Sequence, residues 1–116
     1  ILLVQRSNEP RRGCWTLPGG FMDAGEDPRC AAERECLEET GLHVRVTHFL
    51  QIIHQEREGP GADLVLYYRA EPLRGELQAG DDAAQVRYFP LTALPELAFI
   101  AQAKLAALAG AAGQPV

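Results

Sequence analysis

Apolar residues fall in short runs separated by turn-forming clusters, and their period changes along the chain. Ile1 to Gln5 reads ILLVQ, a continuous apolar stretch of the length of a buried strand. Asn8, Pro10 and Gly13 then break the pattern, so a loop follows that carries Arg11 and Arg12 just after Arg6. Cys14 to Leu17 predicts a second strand that runs into Pro18-Gly19-Gly20, where paired glycines predict a sharp turn. Asp27 suits a helix N-cap, Pro28 the first helical position and Gly41 a left-handed C-cap, with helix formers between them. Arg45 to His54 and Asp63 to Ala70 are β-rich and predict a hairpin through Gly59-Pro60-Gly61. Gly75 to Asp82 reads as an acidic loop and Gln85 to Phe89 as a further strand. Leu97 to Leu108 reads as an amphipathic helix, and the tail from Gly110 is expected to fray.

Strands interleaved with two helices predict an α/β sandwich with a mixed sheet. No internal repeat or linker divides the 116 residues, which suit a single domain over residues 1–116. The chain opens on Ile1 inside a strand, so an upstream segment is expected, holding a pairing strand or another domain. With 47% hydrophobic and 23% charged residues, the composition excludes disordered and fibrous chains.

Charge narrows the functional classes. A formal net charge of −5 without a basic patch argues against a nucleic-acid polymer or a membrane surface as partner. No stretch approaches the roughly 20 apolar residues needed to span a bilayer. Cys14, Cys30 and Cys36 are odd in number and form no CxxC pair, which supports neither a disulfide framework nor a zinc knuckle. A reducing, cytoplasmic setting is expected.

The chemistry concentrates in the helix after Asp27. Glu35, Glu38 and Glu39 stand at i, i+3 and i+4, within an arc of roughly 100° on a helix of about 3.6 residues per turn. Like charges at these spacings cost a few tenths of a kcal/mol per pair, so a bound cation is the economical explanation. Hard divalent ions such as Mg²⁺ or Mn²⁺ take oxygen ligands. A solvated Glu-rich face would be the alternative if this helix stood alone. An EF-hand is excluded, because the alternating Asp/Asn loop is absent.

Gly20, Glu26, Arg34, Glu35, Cys36, Glu38, Glu39, Gly41 and Leu42 together fill the pattern G-x5-E-x7-R-E-U-x-E-E-x-G-U, where U is bulky and aliphatic. The segment therefore resembles the Nudix box, and Trp15-Thr16-Leu17-Pro18-Gly19 is similar to the family's approach to it. Cys36 departs from the first aliphatic position, but a buried Cys behaves as a small hydrophobe. The resemblance implies a Nudix fold, an α/β/α sandwich with a mixed β-sheet. It also implies Mg²⁺ or Mn²⁺ held by Glu35, Glu38 and Glu39, with Glu26 a further or water-mediated ligand. Glu35, Glu38 and Arg34 become the catalytic set. Arg34, adjacent to Glu35 and a turn from Glu38, would orient a carboxylate.

Other residues divide between site and scaffold. Gly20, Arg6 and Phe21 are candidate substrate-binding residues, Arg6 because its loop could reach a phosphate. Phe21, Met22, Trp15, Tyr67, Tyr68 and Phe99 could stack on a base, yet such runs usually belong to a core, which is the expectation for each. His43, His48 and His54 share no ligand spacing and are expected to be strand or loop residues. Glu76, Asp81 and Asp82 lie where relatives often bring an additional acid, with an exposed loop as the alternative.

The resemblance implies hydrolysis of a nucleoside diphosphate linked to another moiety, with ADP-ribose or a related nucleotide sugar favoured. Two alternatives are a house-cleaning hydrolase of oxidised or noncanonical nucleoside triphosphates and a nucleotide-sensing Nudix module without catalysis. The partner is a small nucleotide substrate, and because relatives are often dimers, a homodimer is one expected assembly.

Overall fold

A computed structural model describes residues 1–56, 62–80, 82–99 and 102. The elements are β1 (Leu2–Arg6), β2 (Trp15–Thr16), α1 (Pro28–Thr40), β3 (Leu42–Glu56), β4 (Ala62–Gly75) and β5 (Ala83–Tyr88). They form an antiparallel sheet in the order β2-β1-β5 and an antiparallel β3-β4 pair. A parallel bridge between Trp15 and Leu97 adds the mixed character to the first sheet. The architecture is α/β, as expected, with α1 the one named helix among the described residues.

Leu3, the apolar centre of β1, is 1% exposed and packs with Trp15 and Phe89, which bracket it from β2 and from the end of β5. Trp15 and Phe89 meet edge-on with centroids 4.8 Å apart, the arrangement that the ring quadrupoles favour. Arg87 lies over Phe89 at 4.6 Å, covering the core's margin with its guanidinium.

The long hairpin exceeds the predicted strands at both ends. β3 begins at Leu42, directly after the helix C-cap, and pairs with β4 from Leu42↔Gly75 to Glu56↔Ala62. Shifts in register between His43 and Val44, Val46 and His48, and Phe49 and Gln51 absorb irregularities, so Pro72 is accommodated opposite Val44. The Gly59-Pro60-Gly61 turn lies outside the described residues.

One expectation is corrected at the C-terminal side. Leu97 is not helical: the Trp15 N–H donates to the Glu96 carbonyl at 2.9 Å and the Ala98 N–H to the Trp15 carbonyl at 2.8 Å. Pairing with the edge strand outweighs the helical pattern there. Ala98 and Phe99 are not helical either, Gln102 is, and the remaining residues of the predicted helix lie outside those described. Among the described residues, no helix is long and apolar enough to cross a membrane.

Candidate metal and substrate site

Caps set the position of the carboxylates. Asp27 accepts from the Arg29 N–H at 2.8 Å as N-cap, Pro28 opens α1, and Gly41 closes it with φ 79° and an N–H to the Leu37 carbonyl at 3.0 Å. Ala31, Cys36 and Thr40 form the buried side of the helix. Cys36 behaves as the small hydrophobe expected of it, and burial pushes its thiol pKa up. On the side facing β3, Glu33 accepts from the Val46 N–H at 2.8 Å, which locks the helix to the hairpin.

The segment between β4 and β5 wraps the end of α1. The Gln78 N–H donates to the Thr40 carbonyl at 2.9 Å and the Gly80 N–H to the Glu39 carbonyl at 3.0 Å, so two of the helix's otherwise unpaired carbonyls are satisfied. A Cβ on Gly80 would stand 2.1 Å from the Glu38 carbonyl oxygen, so this approach requires glycine. The wrap carries Asp82 toward the helix.

Arg34 is the hub of the site. Its Nε donates to Glu26 Oε2 at 2.8 Å and its Nη2 to Glu26 Oε1 at 3.0 Å, a bidentate fork. Its Nη1 reaches Glu35 Oε1 at 3.0 Å and the Glu38 carboxylate at 3.2 and 3.3 Å. Its Nη2 also donates to the Phe21 carbonyl at 3.1 Å, tying the loop before the helix to the helix itself. Glu26 Oε1 accepts in addition from the Asp23 N–H at 2.9 Å. The Arg34 hydrogen bonds lead, with help from that backbone amide, in holding the Glu26 pKa down at about 2. Hydrogen bonds donated to Glu26, then to Glu38, raise that of Arg34 well above its usual value.

Glu35 and Glu39 face a groove between the sheets that also takes in Arg6, Gly20, Phe21 and Asp82. Gly20 lies directly against the Glu35 carboxylate: a Cβ there would stand 2.4 Å from Cδ and 2.5 and 2.7 Å from the two oxygens. Burial raises the Glu39 pKa to about 7, opposed by the Gly19 backbone amide and reinforced by the charges of Glu35, Asp82 and Glu38. Glu38 is turned outward, with its side chain 55% exposed against 16% for Glu35.

Among the described residues, no three His, Cys, Asp or Glu side chains come together closely enough to hold a metal ion as they stand. The donor set nevertheless fits a hard divalent cation. It consists of carboxylate oxygens, Glu39 is crowded by three acidic neighbours, and Gly20, having no side chain, lets the Glu35 carboxylate lie against its backbone. Glu35 and Glu39 on the groove, with Glu38 beside them on α1, are the carboxylates that could hold it. Glu26, the expected further or water-mediated ligand, accepts from Arg34 and Asp23 through both oxygens, as Glu38 does from Arg34.

Other predicted residues separate clearly. Arg6 donates through Nε to the Pro10 carbonyl at 2.8 Å and lies 5.9 Å from the Phe99 ring centroid. Asp82 lines the groove, and its carbonyl accepts from Ser7 Oγ at 2.8 Å, linking it to the loop after β1. Glu76 is exposed and away from the groove, and Asp81 lies outside the described residues. Trp15 and Tyr67 are buried as expected of core residues. Phe21 and Met22 are not: they are 75% and 52% exposed, because the loop from Gly20 to Glu26 has no strand period to turn them inward. The three histidines are strand residues.

Two contributors escaped sequence reasoning. Gly80 gave no signal beyond its place in a loop, and Gln102 is, with Lys104, one of two polar residues in an Ala-rich stretch. Its side chain is nonetheless buried and bonded to Thr16, Leu17 and Tyr67.

A helix carrying carboxylates beneath a glycine turn, flanked by two small sheets, defines a Nudix-type α/β domain. The sequence matches the family described as NUDIX domain over residues 1–109, and the chain belongs to the Nudix family. It is 42% identical over 100 residues to an ADP-ribose pyrophosphatase of Methanocaldococcus jannaschii, covering 85% of this chain and 59% of that protein. It is 34% identical over 99 residues to the human 8-oxo-dGDP phosphatase NUDT18, covering 82% of this chain and 29% of that protein. The chain thus spans less than two thirds of the length of these curated relatives. A NUDIX hydrolase structure from Nitrosomonas europaea superposes with a TM-score of 0.83 at 28% identity, over 99% of this chain and 66% of that one.

Proposed function

We propose that the protein is a divalent-metal-dependent pyrophosphohydrolase that cleaves the phosphoanhydride of a nucleoside diphosphate linked to another moiety, with ADP-ribose or a related nucleotide sugar as the preferred substrate. The observation that carries this reading is the convergence of Glu35 and Glu39 on one groove beneath Gly19-Gly20, with Arg34 tying Glu35 to Glu38 and Glu26. Bound Mg²⁺ or Mn²⁺ would neutralise the diphosphate and lower the pKa of a water. Glu35 and Glu39, which line the groove, and Glu38, which is more exposed, would hold the cation. Arg34 keeps two of those carboxylates oriented and the Phe21 backbone in place. One of the glutamates accepts the proton of the water that attacks phosphorus in line, and the products are a nucleoside monophosphate and the phosphorylated second moiety.

The ADP-ribose preference draws on the relative from Methanocaldococcus jannaschii. A second reading, hydrolysis of oxidised nucleotides, is favoured by the likeness to the human 8-oxo-dGDP phosphatase. A product-resolved screen with each metal over ADP-ribose, NADH, nucleotide sugars, dinucleoside polyphosphates and oxidised nucleotides tests both. Turnover confined to oxidised nucleotides would replace the first reading with the second. Nucleotide binding without turnover would make the domain a sensor.

A further inference from the structure

We propose that Gln102 is a positioning residue that acts as an added strand rung and holds the Pro18-Gly19-Gly20 turn over Glu35 and Glu39. The inference rests on the reading of those glutamates as metal ligands.

β2 pairs with β1 only at Trp15 and Thr16, and its other edge is used at Trp15 by Glu96 and Ala98. Leu17 carries the last backbone N–H before the turn, because Pro18 has none. An unpaired N–H at this half-buried place is costly, because it loses its water partner and gains none. The Gln102 side chain supplies its partner: Oε1 accepts from the Leu17 N–H at 3.0 Å and from Thr16 Oγ1 at 3.2 Å. Nε2 donates to the Tyr67 hydroxyl at 3.3 Å, so the amide is tied to β4 as well. Gln102 is 5% exposed. One buried amide therefore joins the strand leading into the turn, the hairpin and the chain after Phe99.

The consequence reaches the carboxylates within a few bonds. Two residues beyond Leu17, the Gly19 amide faces Glu39, and Gly20 packs against the Glu35 carboxylate with no room for a Cβ. A turn released at Leu17 would move both contacts.

The test compares Gln102→Met, which keeps length and loses all three hydrogen bonds, with Gln102→Glu, which keeps both acceptor contacts while the Tyr67 hydroxyl turns to donate. Two readouts are taken without substrate: amide hydrogen exchange of Leu17, Gly19 and Gly20 in metal-free protein, and Mn²⁺ affinity by electron paramagnetic resonance. Gln102→Met is expected to speed exchange at these amides and weaken Mn²⁺ binding by about 10–100-fold, the usual effect of losing an outer-shell partner. Gln102→Glu is expected to stay near wild type. Unchanged exchange at Leu17 in Gln102→Met would overturn the inference. If Gln102→Met does not fold, Gln102→Asn keeps a polar amide but is one methylene too short to reach the Leu17 N–H, and unchanged Leu17 exchange there overturns the inference equally. A chain that turns over no nucleotide would defeat the proposed activity while leaving these readouts to decide the role of Gln102.

Discussion

Arg34 grips Glu26 through a two-pronged fork, Nε to Oε2 at 2.8 Å and Nη2 to Oε1 at 3.0 Å, across a sequence separation that spans the start of α1. The same guanidinium reaches Glu35 and Glu38, so one cation fixes the loop and two carboxylates together. Arg34→Lys keeps the charge but loses the planar fork, and is expected to lower metal-activated turnover by about 10–100-fold. Turnover measured across a Mg²⁺ titration checks this, and a wild-type rate would contradict it.

The Glu26 fork also predicts an acid response. Its folded pKa is depressed to about 2 from 4.5, so its contribution to stability is fully present above about pH 4.5 and is lost as pH falls toward 2. Comparing urea midpoints of wild type and Glu26→Gln over that range should show the wild-type advantage shrinking with acid. A difference independent of pH would refute the link.

Glu39 predicts the opposite slope. Its carboxyl is raised from 4.5 to about 7, so between these values the folded protein holds a proton that the unfolded chain has released. Metal-free stability attributable to Glu39 therefore falls as pH rises through that window. Thermal melts should show a decline that Glu39→Gln removes, and Mg²⁺ binding at pH 6 should release protons into unbuffered solution.

Much of this site was legible in the chain. Asp27-Pro28 and Gly41 mark α1 because caps are local chemistry, and the box spacing names Glu35, Glu38 and Glu39 for the same reason. The long hairpin was underestimated, since Leu42 to Val44 and Pro72 look irregular until pairing and bulges accommodate them. Leu97 follows its partner Trp15 rather than its own helical pattern. Asp82 reaches the helix through backbone bonds from Gln78 and Gly80, and such long-range bonds leave no mark on a sequence.

Gly20 yields a fourth test. A methyl group there would overlap the Glu35 carboxylate, so Gly20→Ala is expected to displace it and reduce turnover on the order of 100-fold, as misplacements near 1 Å do. Chemical denaturation should change far less than the rate. Activity near wild type would show that the contact is dispensable.

Phe21 separates binding from folding. Its ring is 75% exposed, so Phe21→Ser should change stability by less than about 0.5 kcal/mol. A substrate-stacking role predicts a raised KM with little change in kcat. An unaltered KM would remove Phe21 from the substrate site.

The most direct measurement of the central claim is ADP-ribose hydrolysis by wild type and Glu35→Gln with Mg²⁺ and with Mn²⁺, following AMP and ribose 5-phosphate. The account predicts metal-dependent release of both products by wild type and a severe loss in Glu35→Gln. Equal rates in the two proteins, or cleavage that proceeds fully in excess chelator, would contradict it.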